Sequence, residues 1–299
     1  MVHLTDYLKP AEFKTLKSLE LMAKQLVEGM ITGQHRSPHK GFSTEFAQHR
    51  EYVPGDEIRR LDWKVFAKTD RYCIREYEEE TNLRAMVLLD ASGSMSYGGT
   101  GRLTKHEYGI RLAASLSYLL STQRDSVGLV TFDDEVRAFI PPLSSTRHLR
   151  TMLQAMVDST PGGESDLAGV FLTLVPRIRR RGLLIVISDC FGDVAHITTA
   201  LSHFRSANHE VLVFHVMDPD EIEFPFRDWT RFESLEKTTH FQLLDPLSFR
   251  KAYLQSYETY RQEIVQGCRR NKIDLIPIRT DQPFNEALAA YLSRRHHAR

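Results

Sequence analysis

Residues 85–95 read Ala-Met-Val-Leu-Leu-Asp-Ala-Ser-Gly-Ser-Met. Ala85 to Leu89 are apolar without a break, and Asp90 follows at once. A short uninterrupted apolar run of this kind reads as a strand buried on both faces, as in a parallel sheet. Ser92 and Ser94 come next at alternate positions, with Gly93 between them to let the backbone turn. One carboxylate and two hydroxyls therefore meet at the carboxyl end of a buried strand, where open α/β sheets bind ligands. Oxygen donors suit a hard cation such as Mg²⁺, with water completing the shell. Taken alone, D-x-S-x-S is equally consistent with a capping aspartate and two turn serines. The choice rests on the rest of the chain.

Downstream the pattern alternates regularly. A helix is expected near 103–123, with Leu112, Leu116, Leu119 and Leu120 on one face. SVGLVTF (126–132) reads as a strand. The Asp133–Asp134 turn and EVRAFI (135–140) predict a hairpin with an antiparallel edge strand. Helices follow near 146–158 and 166–180, the second running into the basic stretch RIRRR. GLLIVISD (182–189) is a second buried strand that also ends in aspartate. A helix at 193–207, a strand EVLVFHVMD (210–218), an aromatic hairpin insertion at 219–245, a helix at 247–270, a strand KIDLIPI (272–278) and a helix near 284–295 complete the series. The tail RRHHAR is expected to be disordered.

Alternating strands and helices imply a doubly wound, mostly parallel α/β sheet. In the order 3-2-1-4-5-6, the first and fourth strands are neighbours at the switch point. Asp90 and Asp189 then face one crevice. Two such carboxylates repel unless a cation lies between them. The loop PGGESD (161–166) lies on the same face and offers Ser165. The candidate metal site is Asp90, Ser92, Ser94, Ser165 and Asp189.

Upstream, residues 11–32 predict an amphipathic helix on Leu16, Leu19, Ala23, Leu26 and Met30, ended by Gly33. Residues 34–82 are dense in charge and aromatics. RYCIREYEEE within them alternates like a strand that could extend the main sheet, and His35, His39 and His49 read as solvated rather than ligating. The chain has 299 residues, with 39 basic and 39 acidic side chains. That balance gives no basic field to favour nucleic acid. The three cysteines, Cys73, Cys190 and Cys268, are scattered and fit a reduced, cytoplasmic setting. The amino terminus is charged where a secretory signal would be apolar. The apolar runs near 85–89 and 183–187 fall far short of the roughly 20 residues of a membrane span.

The five-residue constellation resembles the metal-ion-dependent adhesion site of von Willebrand factor A domains. Asp90, Ser92 and Ser94 match its first segment, and Asp189 matches the aspartate after the fourth strand. The family's threonine position, in a Gly-Gly-Thr context, falls in Gly162-Gly163-Glu164-Ser165-Asp166, so Ser165 or Glu164 is left to complete the site. The segment HREYVPGDEIRRLDWKVFAKTDRYCIREYEEETN (49–82) is similar to the signature of the bacterial family called domain of unknown function 58. Its block Glu51 to Asp62 is the specific part. The resemblance implies a von Willebrand factor A-like domain over 84–299, preceded by a helical and β extension over 1–83. It further implies a module that binds without turnover. A divalent ion, Mg²⁺ or else Mn²⁺ or Ca²⁺, would take an acidic side chain from a client, and a MoxR-type AAA+ ATPase would be the working partner.

Rival chemistries lack their residues. A dehalogenase-like enzyme needs a second aspartate where Ser92 stands. GGTGRLT (98–104) lacks the G-K-[ST] ending of a phosphate-binding loop, and no G-x-S-x-G elbow is present. RIRRR and RHLR have no interleaved aromatic platform for nucleic acid. A metal-free interaction scaffold on the same fold stays open.

Overall fold

The structure is a computed structural model describing residues 16–33, 46–53, 61, 63–77, 83–236 and 241–297. The chain divides into a large unit, residues 1–34 with 83–299, and a small unit, residues 35–82.

Within the small unit, β1 (Phe46–Glu51) pairs antiparallel with β2 (Cys73–Tyr77), and α2 (Trp63–Thr69) lies between them in sequence. The Phe66 ring stacks on Tyr72 at 4.5 Å and meets Trp63 edge-on at 6.2 Å. Cys73–Tyr77, within RYCIREYEEE, thus form a strand, but its partner is β1 in a separate two-stranded sheet rather than the main sheet. His35 and His39, and the side chain of His49, lie outside the described residues.

The large unit opens with α1 (Leu16–Gly33). Leu19, Met22, Ala23 and Val27 bury one stripe of it in the core, so this helix belongs with the α/β unit rather than with the small one. After it come β3 (Arg84–Asp90), α3 (Lys105–Thr122), β4 (Ser126–Phe132), β5 (Val136–Leu143), α4 (Thr146–Asp158), α5 (Leu167–Leu174), β6 (Leu183–Ser188), α6 (Val194–Ser206) and β7 (Glu210–Met217). The insertion holds α7 (Pro219–Glu223) and the hairpin β8 (Thr230–Glu233) and β9 (Phe241–Leu244). Then follow α8 (Pro246–Arg270), β10 (Asp274–Arg279) and α9 (Phe284–His297).

The main sheet runs β10-β7-β6-β3-β4-β5, with β5 alone antiparallel to its neighbour. Counting only the strands of this sheet in chain order, this is the expected 3-2-1-4-5-6 order. The strand period of two sorts side chains between two cores. Ala85, Val87 and Leu89 join Val127, Leu129, Ile185 and Ile187 under α1, α3, α4 and α9. Met86 and Leu88 join Val130, Phe132, Leu184 and Val186 under α5, α6 and α8. Each such buried Val, Leu, Ile, Met or Phe side chain contributes about 1.5–3 kcal/mol. Gly109 lets α3 approach closely: a Cβ there would stand 3.1 Å from Leu89 Cδ1.

Two boundaries differ from the sequence expectation. α5 stops at Leu174, not 180, because Pro176 has no N–H to continue the ladder. RIRRR therefore lies in a loop, where Arg177 covers the Phe139 ring at 4.3 Å. α9 runs on to His297, so most of the expected disordered tail is helical. Among the described residues no helix is long and apolar enough to cross a membrane.

Candidate functional site

The site is built where β3 and β6 end side by side. Leu89 lies opposite Ile187 in parallel register, which brings Asp90 beside Ser188. Asp90 is fully buried. Its Oδ1 accepts the Ser92 N–H at 2.8 Å, and its Oδ2 accepts the Ser188 hydroxyl at 2.5 Å. The chain then turns through a 3₁₀ segment, Gly93–Ser96, pinned by the buried Met95 side chain. This turn sets the Ser92 and Ser94 hydroxyl oxygens 3.1 Å apart.

Two backbone hydrogen bonds dock the glycine loop on this turn. Gly93 N–H donates to Gly163 O at 3.0 Å, and Gly162 N–H donates to Ala91 O at 2.9 Å. Gly163 has φ +78, which glycine adopts without strain. Ser165 rides on the same loop, half-buried, and its hydroxyl makes no hydrogen bond among the described residues. Glu164 beside it is exposed.

Asp189 follows β6. Its Oδ1 accepts the Phe191 N–H at 3.1 Å, and the nearby Ser94 hydroxyl favours its anion. Its backbone is held from below: His215 Nε2 lies 2.9 Å from the Asp189 carbonyl oxygen, and the Tyr260 hydroxyl donates to Asp189 O and Cys190 O. Asp90, Ser92, Ser94 and Asp189 are thereby gathered into one cluster.

Three side chains that sequence reasoning missed complete it. Ser188 anchors Asp90. Lys105 is 1% exposed, and its Nζ lies 2.7 Å from Asp189 Oδ2 and 2.6 Å from Glu221 Oε1. Glu221 closes a capping box on α7: its Oε2 accepts the Asp218 N–H at 2.9 Å, leaving Oε1 for the lysine. A signal was present for the last two. Lysine as the first residue of a helix opposes the macrodipole and so calls for a local reason. Asp218-Pro219-Asp220-Glu221 is a capping-box spelling. A second group of contacts ties residues 97–104 to α7. Asp218 accepts from Arg102 at 2.8 Å, from Thr280 at 2.9 Å and from Gly99 N–H at 3.2 Å, while Tyr97 donates to Asp220.

The electrostatics follow from burial and from these partners. Burial, and then Asp189, push the Asp90 carboxyl up to about 7, against hydrogen bonds from Ser188 and Ser92 that favour its anion. Burial also disfavours the Asp189 anion, but the Lys105 ammonium outweighs it and holds this carboxyl below the usual range. Burial raises Glu221 despite the same lysine.

These donors fit a hard divalent ion. Two ligands of an octahedral Mg²⁺ stand about 3 Å apart along a cis edge, given bonds of about 2.1 Å. The serine hydroxyls, at 3.1 Å, match that edge. Asp90, pushed toward its neutral form beside a second acid, marks a place where further positive charge is stabilised. Among the described residues, no group of three His, Cys, Asp or Glu side chains could hold a metal by itself, so the hydroxyls are essential to the fit.

A family model described as "Protein of unknown function DUF58" matches residues 48–263. The uncharacterized protein Rv1480 of Mycobacterium tuberculosis is 27% identical over 284 residues, covering 94% of this chain and 88% of that protein. An aerotolerance-related membrane protein from Bacteroides fragilis superposes with a TM-score of 0.47 at 18% identity, over 70% of this chain and 96% of its own. BatB from Bacteroides thetaiotaomicron gives 0.46 at 16% identity, over 71% and 98%. These superpositions are distant, and the family assignment rests on the sequence match.

Proposed function

The chain belongs to the DUF58 family, and on that premise we propose that it is a divalent-cation-dependent protein-interaction module without catalytic turnover. The observation that carries the reading is the serine pair, held 3.1 Å apart beside the buried Asp90 at the carboxyl end of β3. Ser92 and Ser94 would bind the ion directly, Asp90 and Asp189 directly or through water, and Ser165 from the docked loop. When bound, the ion supplies an open coordination position for an acidic side chain of a client protein. The working partner, a MoxR-type AAA+ ATPase, follows from the resemblance of the 49–82 segment, with this chain providing recognition and the ATPase providing energy.

The absence of turnover is supported by where the histidines sit. His106 bonds Ser159 and His215 bonds the Asp189 carbonyl; among the described residues neither is hydrogen-bonded to Ser92 or Ser94. A serine nucleophile would need such a base.

A second reading, a scaffold that uses the fold without an ion, is favoured by one observation: Lys105 already places a positive charge on Asp189. Calorimetric titration with Mg²⁺ and Mn²⁺ separates the two, run on the wild type beside Asp90→Ala with circular dichroism on both. Binding by the wild type alone, both being folded, supports the metal-dependent module and justifies a metal-dependent pull-down of ATPase and clients. No binding by the wild type refutes it for the free protein and leaves the scaffold.

A further inference from the structure

Lys105 is nearly buried and touches two carboxylates that come from different parts of the chain. Its position runs against local preference. As the first residue of α3 it puts a cation at the positive end of the helix dipole. That end already has a complete capping box, Thr104 with Glu107, so Lys105 is not needed to start the helix. Burying an ammonium is costly unless it is paired on several sides. Here the pairing is supplied by Asp189 at 2.7 Å and Glu221 at 2.6 Å. Glu221 is itself fixed by the Asp218 N–H, so the lysine is aimed rather than free to swing.

Resting on the reading of Asp90, Ser92, Ser94 and Asp189 as a cation site, we infer that the Lys105 ammonium is the built-in counter-cation of that site and sets its metal affinity. The ammonium holds one oxygen of Asp189, Oδ2, while Oδ1 takes the Phe191 N–H. A divalent ion must share this carboxylate with a fixed positive charge, and like charges that close repel. Lys105 thus stabilises the ion-free site and weakens the ion-bound one. The Glu221 carboxylate, paired to the same ammonium, offsets part of its field at the site.

The test is Mg²⁺ and Mn²⁺ titration of the full chain, wild type beside Lys105→Met, with thermal unfolding of each at rising Mg²⁺. Lys105→Met is expected to bind the ion on the order of ten- to a hundredfold more tightly. Without metal it melts below the wild type, since Asp189 and Glu221 lose their partner. Mg²⁺ then raises its melting temperature more than that of the wild type. Should Lys105→Met fail to fold, Lys105→Met with Glu221→Gln removes one of the orphaned acids and carries the same comparison against Glu221→Gln alone.

Equal or weaker binding by the lysine variant overturns the inference while leaving the metal-dependent reading intact, provided the wild type binds. Binding by the variant alone supports the inference and refutes that reading for the free wild type. No binding by either overturns both.

Discussion

The Ser188 hydroxyl donates to Asp90 Oδ2 at 2.5 Å, and the same hydroxyl oxygen accepts the Cys190 N–H at 2.8 Å. One side chain on β6 therefore holds both the acid of the neighbouring strand and the turn that carries Asp189. Ser188→Ala leaves a buried carboxylate and a buried N–H each short of a partner. The expected loss is about 1–3 kcal/mol, measured by urea unfolding. An unchanged midpoint would mean that Asp90 finds another donor.

Acid stability carries two opposing effects. Burial depresses His106 and His215 to about 4, from an ordinary value of 6.5. Their unfolded forms take up protons between about pH 6.5 and 4 while their folded forms do not. Their contribution is full above 6.5 and is lost as pH falls through that window. Asp90 works the other way. Its folded carboxyl, raised to about 7, binds a proton that the unfolded chain releases above about 4, so it lowers stability as pH rises from about 4 to 7. Asp90→Asn removes this opposing proton uptake. Its melting temperature should therefore fall more steeply than that of the wild type between pH 6.5 and 4. Parallel curves would place the Asp90 pKa near its unfolded value.

Gly93 is required by contact rather than by dihedral angle. A Cβ there would run into the Leu235 carbonyl oxygen and stand 2.9 Å from the Gly163 oxygen, all backbone atoms that cannot swing aside. Gly93→Ala should cost about 1–3 kcal/mol and displace either the glycine loop or the insertion. Thermal unfolding checks the cost. Limited proteolysis across residues 229–245 shows whether the insertion loosens.

Asp218 accepts from Arg102, Gly99, Asp220 and Thr280 with a side chain that is wholly buried. Asp218→Ala breaks this group, uncaps α7 and releases the helix that presents Glu221 to Lys105. The expected destabilisation is about 3 kcal/mol or more by chemical denaturation. A loss well under that would show that the Asp218 backbone N–H and Lys105 hold Glu221 without the side-chain cap.

The amino-acid sequence by itself determined the sheet and its switch point. Two apolar runs, each ending in aspartate, can be buried on both faces only inside a parallel sheet, and the alternation of strands with helices leaves few ways to order them. The juxtaposition of Asp90, Ser92, Ser94 and Asp189 was legible because the strand period and the chain direction bring them to one edge. The hairpin character of the 219–245 insertion was legible too. Only the tertiary structure decided the charge balance of the site. Lys105 is 84 residues from Asp189 and 116 from Glu221, and no local periodicity couples positions so far apart. Ser188 looks like any polar strand end until parallel register sets it beside Asp90. The hydroxyl of Ser165, on a loop docked through glycine backbone, shows the same limit: sequence brings the loop to the right face, but a side chain's partners are set by packing among segments that sequence places far apart.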